Sequence, residues 1–241
     1  MSCKEKGGQS GWRPVTYDLH QHSCLSPCGD EEMTPANIVG MAVVKELDVI
    51  ALTDHNTCKN CPAIMKKAEE YGVTVIPGME LTTSEEIHVL CLFRNIDDAL
   101  RFDSFVYEKL PDIKNKEEIF GKQQIMNEND EVIGNIDKLL INATQIGFDY
   151  LPDILKDFNG IMIPAHINKK SDSLLSVFGF IPPTSSFRCA EINKTADIEE
   201  VKKNNPYLEN CKIITDSDAH YLQDISEKIH CIDVKGKTIE D

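Results

Sequence analysis

No stretch of the 241-residue chain approaches the ~18 consecutive apolar residues of a membrane-spanning helix. The opening segment, residues 1–13, has no apolar core of the kind a secretory signal needs. With Gly7-Gly8 and Gly11 it reads as a flexible leader, and a cytoplasmic location without membrane attachment is the expectation. Basic residues are scarce: 25 Lys and Arg stand against 40 Asp and Glu, a net charge of −15. That balance argues for no extended nucleic acid as partner, because backbone phosphates call for a basic face. A small phosphorylated substrate stays open, since bound divalent cations reverse the field locally. The nine cysteines are an odd number without a regular framework, so mostly reduced thiols are expected. Cys24/Cys28 and Cys58/Cys61 have the spacing of a metal site, yet they lie in loops interleaved with histidine motifs, and unligated thiols are the better reading. Internal repeats and low-complexity tracts are missing as well.

What is present is an alternation of short apolar runs with helix signals. A strand through Val15–Leu19 is followed by a polar loop, and Thr34-Pro35 then supplies an N-cap and a first-turn proline for a helix to about Leu47. Val49–Leu52 is a second strand. Pro62 opens a helix that Gly72 closes, and Val73–Ile76 and Ile87–Phe93 are further strands. The rhythm breaks at about residues 95–151. Asp97-Asp98 starts a helix to about Leu110, and 111–137, polar and charged, reads as an insertion of helical and loop character over one end of the fold. Strands return at 160–163, 187–192 and 212–215. Strand, loop, helix, strand is the pattern of a parallel α/β sheet or barrel, and the length suits one such domain, residues 14–241.

The histidines fall into this pattern. His20, His22, His55, His166 and His220 each follow the C-terminal end of an expected strand, and His88 lies near the start of one. Asp30, Glu80 and Asp218 sit in the same loops or at neighbouring strand ends. In barrels of parallel strands that end carries the active site, and imidazole with carboxylate is the ligand set for Zn, Mn or Fe. Taken singly each has a bland explanation: a hydrogen-bonded loop histidine, a helix-start carboxylate, a turn-forming aspartate. Together they point to a metal site. His230 falls outside the pattern. Lys169, Lys170 and Arg188 are cations near strand ends, candidates for holding a substrate phosphate and equally readable as solvated surface charge.

Asp18-Leu19-His20-Gln21-His22, Leu52-Thr53-Asp54-His55-Asn56, Pro77-Gly78-Met79-Glu80, Ile87-His88-Val89-Leu90, Pro164-Ala165-His166 and Ser217-Asp218-Ala219-His220 resemble, in order, the motifs of the PHP (polymerase and histidinol phosphatase) superfamily. Residues 23–30 resemble an uncharacterised bacterial branch of it. The resemblance implies a distorted (β/α)7 TIM-like barrel holding two or three divalent metals. One metal would take His20, His22, Glu80 and Asp218; a second would share Glu80 and add His88 and His166. A third would take His55, His220 and a residue of the first loop, which is longer here than the family pattern and offers Asp30. Asp54 is expected as a hydrogen-bond partner of the ligands and as candidate general acid.

The activity so implied is hydrolysis of a phosphoester in a small phosphorylated metabolite or nucleotide by a metal-bridging hydroxide. The alternatives are an exonuclease-like phosphodiesterase on short oligonucleotides and a non-catalytic metal- or ligand-binding barrel.

Overall fold

The computed structural model describes residues 12–193 and 197–235. Of the expected leader, residues 1–11 lie outside the described residues; Trp12 precedes the first strand and Arg13 already belongs to it. Ten strands follow among the described residues: β1 (Arg13–Gln21), β2 (Val49–Leu52), β3 (Thr74–Thr82), β4 (His88–Phe93), β5 (Gln124–Met126), β6 (Val132–Asn135), β7 (Gly160–Pro164), β8 (Cys189–Glu191), β9 (Lys212–Ile214) and β10 (Cys231–Val234). The α-helices are α1 (Pro35–Val44), α2 (Cys61–Glu69), α3 (Ile96–Lys109), α4 (Glu117–Phe120), α5 (Leu151–Lys156), α6 (Leu174–Phe178) and α7 (Ile198–Asn204).

Six strands make one curled half-barrel sheet in the order β10-β1-β2-β3-β4-β7. The β1-β2 and β2-β3 pairs are parallel, while β4 runs antiparallel to both β3 and β7. An all-parallel sheet, as the alternation suggested, is therefore corrected. Only residues 83–87 separate β3 from β4, too few for the dozen or more residues of a parallel crossover, so the chain must turn back on itself. That reversal decides the position of His88: the start of β4 lies at the end of the sheet where β3 and β7 finish. β8 and β9 form a separate parallel pair. The Ile167 N–H bonds the Glu191 carbonyl (2.9 Å), and the His22 N–H bonds that of Ala219 (2.9 Å), so this pair sits between the end of β7 and the end of β1.

Helix ends follow their signals. The Thr34 hydroxyl accepts from the Asn37 N–H at the start of α1, with Pro35 as its first residue, and the Asn95 side chain caps α3. Ile38, Val39 and Ala42 of α1, Ile64 and Ala68 of α2, and Phe102 and Val106 of α3 bury one face each against the sheet in the main core.

The insertion departs from the helical and loop character expected of it, because β5 and β6 pair as a short antiparallel hairpin. Asn127 shapes its turn by accepting from the N–H groups of Asn129 and Glu131. The insertion is fastened to the loops that carry His22 and His55. Leu25 packs with Leu110, Ile136 and Leu140 in a small separate core. The Asn56 amide donates to the carbonyls of Leu140 (2.7 Å) and Asn142 (3.0 Å). Asn60 donates to the Ser23 hydroxyl and accepts from the Met126 N–H.

Candidate metal centre

The centre is built at one end of the half-barrel around Glu80, a buried carboxylate on β3. Its backbone is fixed by two bonds from its own N–H, to the carbonyls of Thr53 and Asp54. Its side chain meets imidazoles on both oxygens: Oε1 lies 3.2 Å from His20 Nε2, 3.0 Å from His88 Nδ1 and 3.1 Å from His166 Nε2. Oε2 lies 3.4 Å from His22 Nε2 and 3.2 Å from His55 Nδ1. Asp218, after β9 and at a left-handed φ of 53°, brings Oδ1 to 3.4 Å from His20 Nε2 and 3.5 Å from His22 Nε2. Its Oδ2 pairs with the Lys169 ammonium.

Three sets of ligand atoms converge among the described residues: His20, His22, Glu80 and Asp218; His55, Glu80 and His88; and His22, His55 and His220. The first is the four-residue set the motifs imply. His166 joins through its contact with Glu80. In the third set His22 stands where Asp30 was expected. The Asp30 carboxylate instead accepts from the Glu32 N–H (2.9 Å), an Asx turn within its own loop, and only the Asp30 backbone reaches the site, by a bond to the His220 carbonyl.

The ring orientations fit cation binding. The Nδ1 of His20 faces Glu191 Oε2 (2.9 Å), that of His22 faces the Ser26 hydroxyl (3.0 Å) and that of His220 faces the Asp218 carbonyl (2.9 Å). Each arrangement engages Nδ1, so that Nε2 is the nitrogen left to meet a cation. The Nδ1 atoms of His55 and His166 are buried without a hydrogen-bond partner. A buried ring nitrogen without a donor or acceptor costs free energy, and a divalent cation would satisfy the one on His55 beside Glu80.

Electrostatics agree. Burial pulls the His20 pKa down, but Glu191, Glu80 and Asp218 outweigh it and hold it well above the ordinary value. Burial pushes Glu80 up, yet His88 and His20 hold it well below the usual carboxylate range. His55 is pushed well below the usual imidazole value by burial, and His220 down to about 4 by burial and by His22. Ionised Glu80 beside neutral His55 and His220 has the protonation states that metal ligands require, whereas His20 and His22, both raised by the neighbouring carboxylates, hold protons that a cation would displace.

The other expected site residues are placed as follows. Asp54 is buried and turned toward the first loop, where it accepts from the Ser23 N–H, the Ser23 hydroxyl and the Ser26 hydroxyl, each at 2.7 Å. Ser26 in turn accepts from His22 Nδ1 and the His55 N–H. Asp54 thus braces His22 and His55 of the converging cluster and is not among the converging atoms itself. Lys169 is at the centre, through Asp218, and Lys170 is exposed beside it. Arg188 is set apart: it precedes β8, whose other end carries Glu191, about 10 Å away at the rise of an extended strand. It faces a separate cavity of about 350 Å³ lined with Ser185, Tyr207 and Cys211. Among the described residues the cysteine pairs belong to none of the converging sets of ligand atoms. Cys58 and Cys61 both direct their sulfurs at the Gly78 carbonyl, Cys24 lies against Met126, and all three thiols are buried. Seven of the described cysteines are free, while Cys231 is disulfide-bonded.

Glu191 and Ser26 escaped the sequence reading as partners of the ligands. Glu191 had one usable signal: it ends a strand at the same edge as the histidines.

Comparison with known proteins bears on the whole arrangement. The model of a family described as the PHP domain matches residues 18–173. The 5'-3' exoribonuclease Rnm of Salmonella typhimurium is 38% identical over 90 residues, which are 35% of this chain and 29% of that protein. The chain thus matches less than a third of that relative's length. The lesion-specific endonuclease PfuEndoQ of Pyrococcus furiosus shares the fold with a TM-score of 0.65 at 18% identity, over 87% of this chain and 49% of its own. Endonuclease Q in complex with a 27-mer duplex substrate superposes with a TM-score of 0.57 at 18% identity, over 87% and 50%. The expectation of no extended nucleic acid, drawn from the acidic balance, is corrected by these relatives: one is named for acting on RNA, and another was solved with a 27-mer duplex substrate that has an abasic lesion at the active site. The physical reason is that net charge averages over the whole surface, whereas a phosphate meets only the field of the site. Among the described residues no helix is long and apolar enough to cross a membrane.

Proposed function

The chain belongs to the PHP domain family, and from that premise we propose that it is a metal-dependent phosphoester hydrolase. The observation that carries the reading is the buried Glu80, whose two oxygens lie within 3.4 Å of His20, His22, His55, His88 and His166. His20, His22, Glu80 and Asp218 would hold one divalent cation. Glu80, His88 and His166 would hold a second, with His55 at its edge, and His22, His55 and His220 a third. Zn, Mn and Fe all suit this donor set. Cations so placed polarise phosphoryl oxygens and lower the pKa of water.

The polypeptide supplies access and orientation. The exposed edge of the cluster is His220 at 24%, Asp218 at 15% and His88 at 13%, with the Lys169 side chain at 36% beside them. A phosphate entering there meets the Lys169 ammonium, a point charge held in place by Asp218. Asp54, through Ser26, keeps His22 and the His55 backbone in register. The same strand ends support a closed, distorted seven-stranded barrel, β1-β2-β3-β4-β7-β8-β9, in which the β8-β9 pair bridges β7 and β1.

The similarity to an RNA exonuclease favours a phosphate at or near the end of a nucleotide chain as the substrate. A small phosphorylated metabolite is the second reading, favoured by Lys169, the lysine paired with Asp218 at the exposed edge of the cluster, enough to meet one phosphate. Metal analysis of the purified protein, followed by phosphomonoesters, dinucleotides and 5'-phosphorylated oligoribonucleotides under Mn, Zn and Fe, tests both. Turnover of oligonucleotides by successive release of mononucleotides supports the first reading, turnover confined to monoesters the second. No bound metal and no turnover would remove the enzyme reading altogether.

A further inference from the structure

We propose that Glu191 is a positioning residue that fixes two parts of the metal centre at once, the ring of His20 and the backbone of His166. A single oxygen, Oε2, accepts from His20 Nδ1 (2.9 Å) and from the His166 N–H (3.1 Å). The first bond turns His20 so that Nε2 points to Glu80 and Asp218. The second acts where the chain needs it, because His166 adopts a φ of 29°, outside the relaxed range for a residue with a side chain. The next amide, of Ile167, donates to the backbone carbonyl of Glu191 (2.9 Å). Two consecutive amides after β7 are thus held by one residue, which reaches the end of β1 as well.

Stability alone does not account for a carboxylate here. Glu191 is 1% exposed, and its ion-pair partner is the equally buried ring of His20 (2.9 Å). Asp18 and Asp216 are buried close by, at 0% and 3% exposure. A third buried anion in that neighbourhood is a cost unless it organises something. The groups it organises are ligands of the centre. Asp54 and Ser26 do the corresponding work for His22 and the His55 backbone, and Glu191 is the point where the shell around the first cation is tied to the β7 end that carries His166.

The inference rests on the metal-dependent reading, and its test separates the two. Affinity for Zn and Mn is measured by chelator competition, and the visible spectrum of the Co(II)-loaded protein is recorded, for wild type, E191A, E191Q and E191D. Glutamine keeps the reach and the acceptor oxygen; aspartate keeps the charge and loses the reach. The expected result is E191Q within a few-fold of wild type, with E191D and E191A weakened about 10- to 100-fold and their Co(II) bands shifted. Thermal unfolding without metal reports folding, and if E191A does not fold, the E191Q and E191D pair decides alone. Wild-type affinity and spectrum in E191A or E191D overturn the role of Glu191 and leave the metal centre standing. The reverse order, E191D intact and E191Q impaired, also overturns it by assigning the effect to charge. A wild type that binds no metal removes the centre itself, and this proposal with it.

Discussion

Replacing Asp54 separates bracing from proton donation. Its carboxylate accepts three hydrogen bonds of 2.7 Å, from the Ser23 N–H, the Ser23 hydroxyl and the Ser26 hydroxyl. Bonds to a charged group contribute roughly 1.5–3 kcal/mol each. In Asp54→Ala the two hydroxyls rotate to other acceptors, but the Ser23 amide is left buried and unpaired, at about 1–3 kcal/mol. Relief from burying a carboxylate, whose pKa burial pushes up, offsets part of the loss. The balance is about 2–4 kcal/mol, which for a chain of this size lowers Tm by on the order of 10 °C. Asp54→Asn keeps one acceptor oxygen and should lose less than half of that. Because Ser26 loses the partner that orients it toward His22 and His55, metal affinity should fall in parallel, and activity should return with excess metal. The assay is calorimetric unfolding beside metal titration and kcat at saturating metal. An Asp54→Ala protein with unchanged Tm and metal affinity but abolished kcat would refute the bracing argument and identify Asp54 as the proton donor.

Cys58→Ser should retain full metal content, since the Cys58 and Cys61 sulfurs face the Gly78 carbonyl and not the ligand cluster; loss of metal by elemental analysis would reverse that assignment. Lys169→Met should raise KM for a phosphoester by about tenfold or more, as expected for loss of a charge-assisted contact, with a smaller change in kcat in steady-state kinetics. Metal uptake should release protons. In the polypeptide alone His20 titrates well above the ordinary value, because Glu191, Glu80 and Asp218 outweigh burial. Its stabilising contribution without metal is full below the unfolded value and fades as pH rises through the raised one. Metal competes with that proton, so affinity should climb with pH until His20 is neutral. Titration calorimetry in buffers of different ionisation enthalpy measures this, and a pH-independent affinity would contradict it.

The convergence of the histidines was legible because an active site at strand ends needs its residues directly after apolar runs, and His20, His22, His55, His166 and His220 obey that rule. Glu80 and Asp218 were legible only through their company. His88 was legible as a motif member, but its geometry was not, since a five-residue connection and a reversed strand are needed to bring the start of β4 to the site. Arg188 shows the converse: a cation beside a strand carries no mark of which end it occupies. Asp30 lies in the right loop, yet its carboxylate is taken by the Glu32 amide, a local competition that composition does not reveal. Glu191 and Ser26 act through other side chains, and such roles leave no spacing to read. The β5-β6 hairpin was missed because three- and four-residue strands are too short to show a period.

The central claim is that one buried carboxylate, Glu80, organises a multi-cation centre. Elemental analysis of the wild type and of Glu80→Ala, each reconstituted with Mn, Zn or Fe and desalted, tests it most directly. The account predicts two or three equivalents per chain in the wild type and a loss of at least one in Glu80→Ala, with phosphoester turnover lost as well. A wild type free of metal after reconstitution, or a Glu80→Ala protein with its full complement, would contradict it.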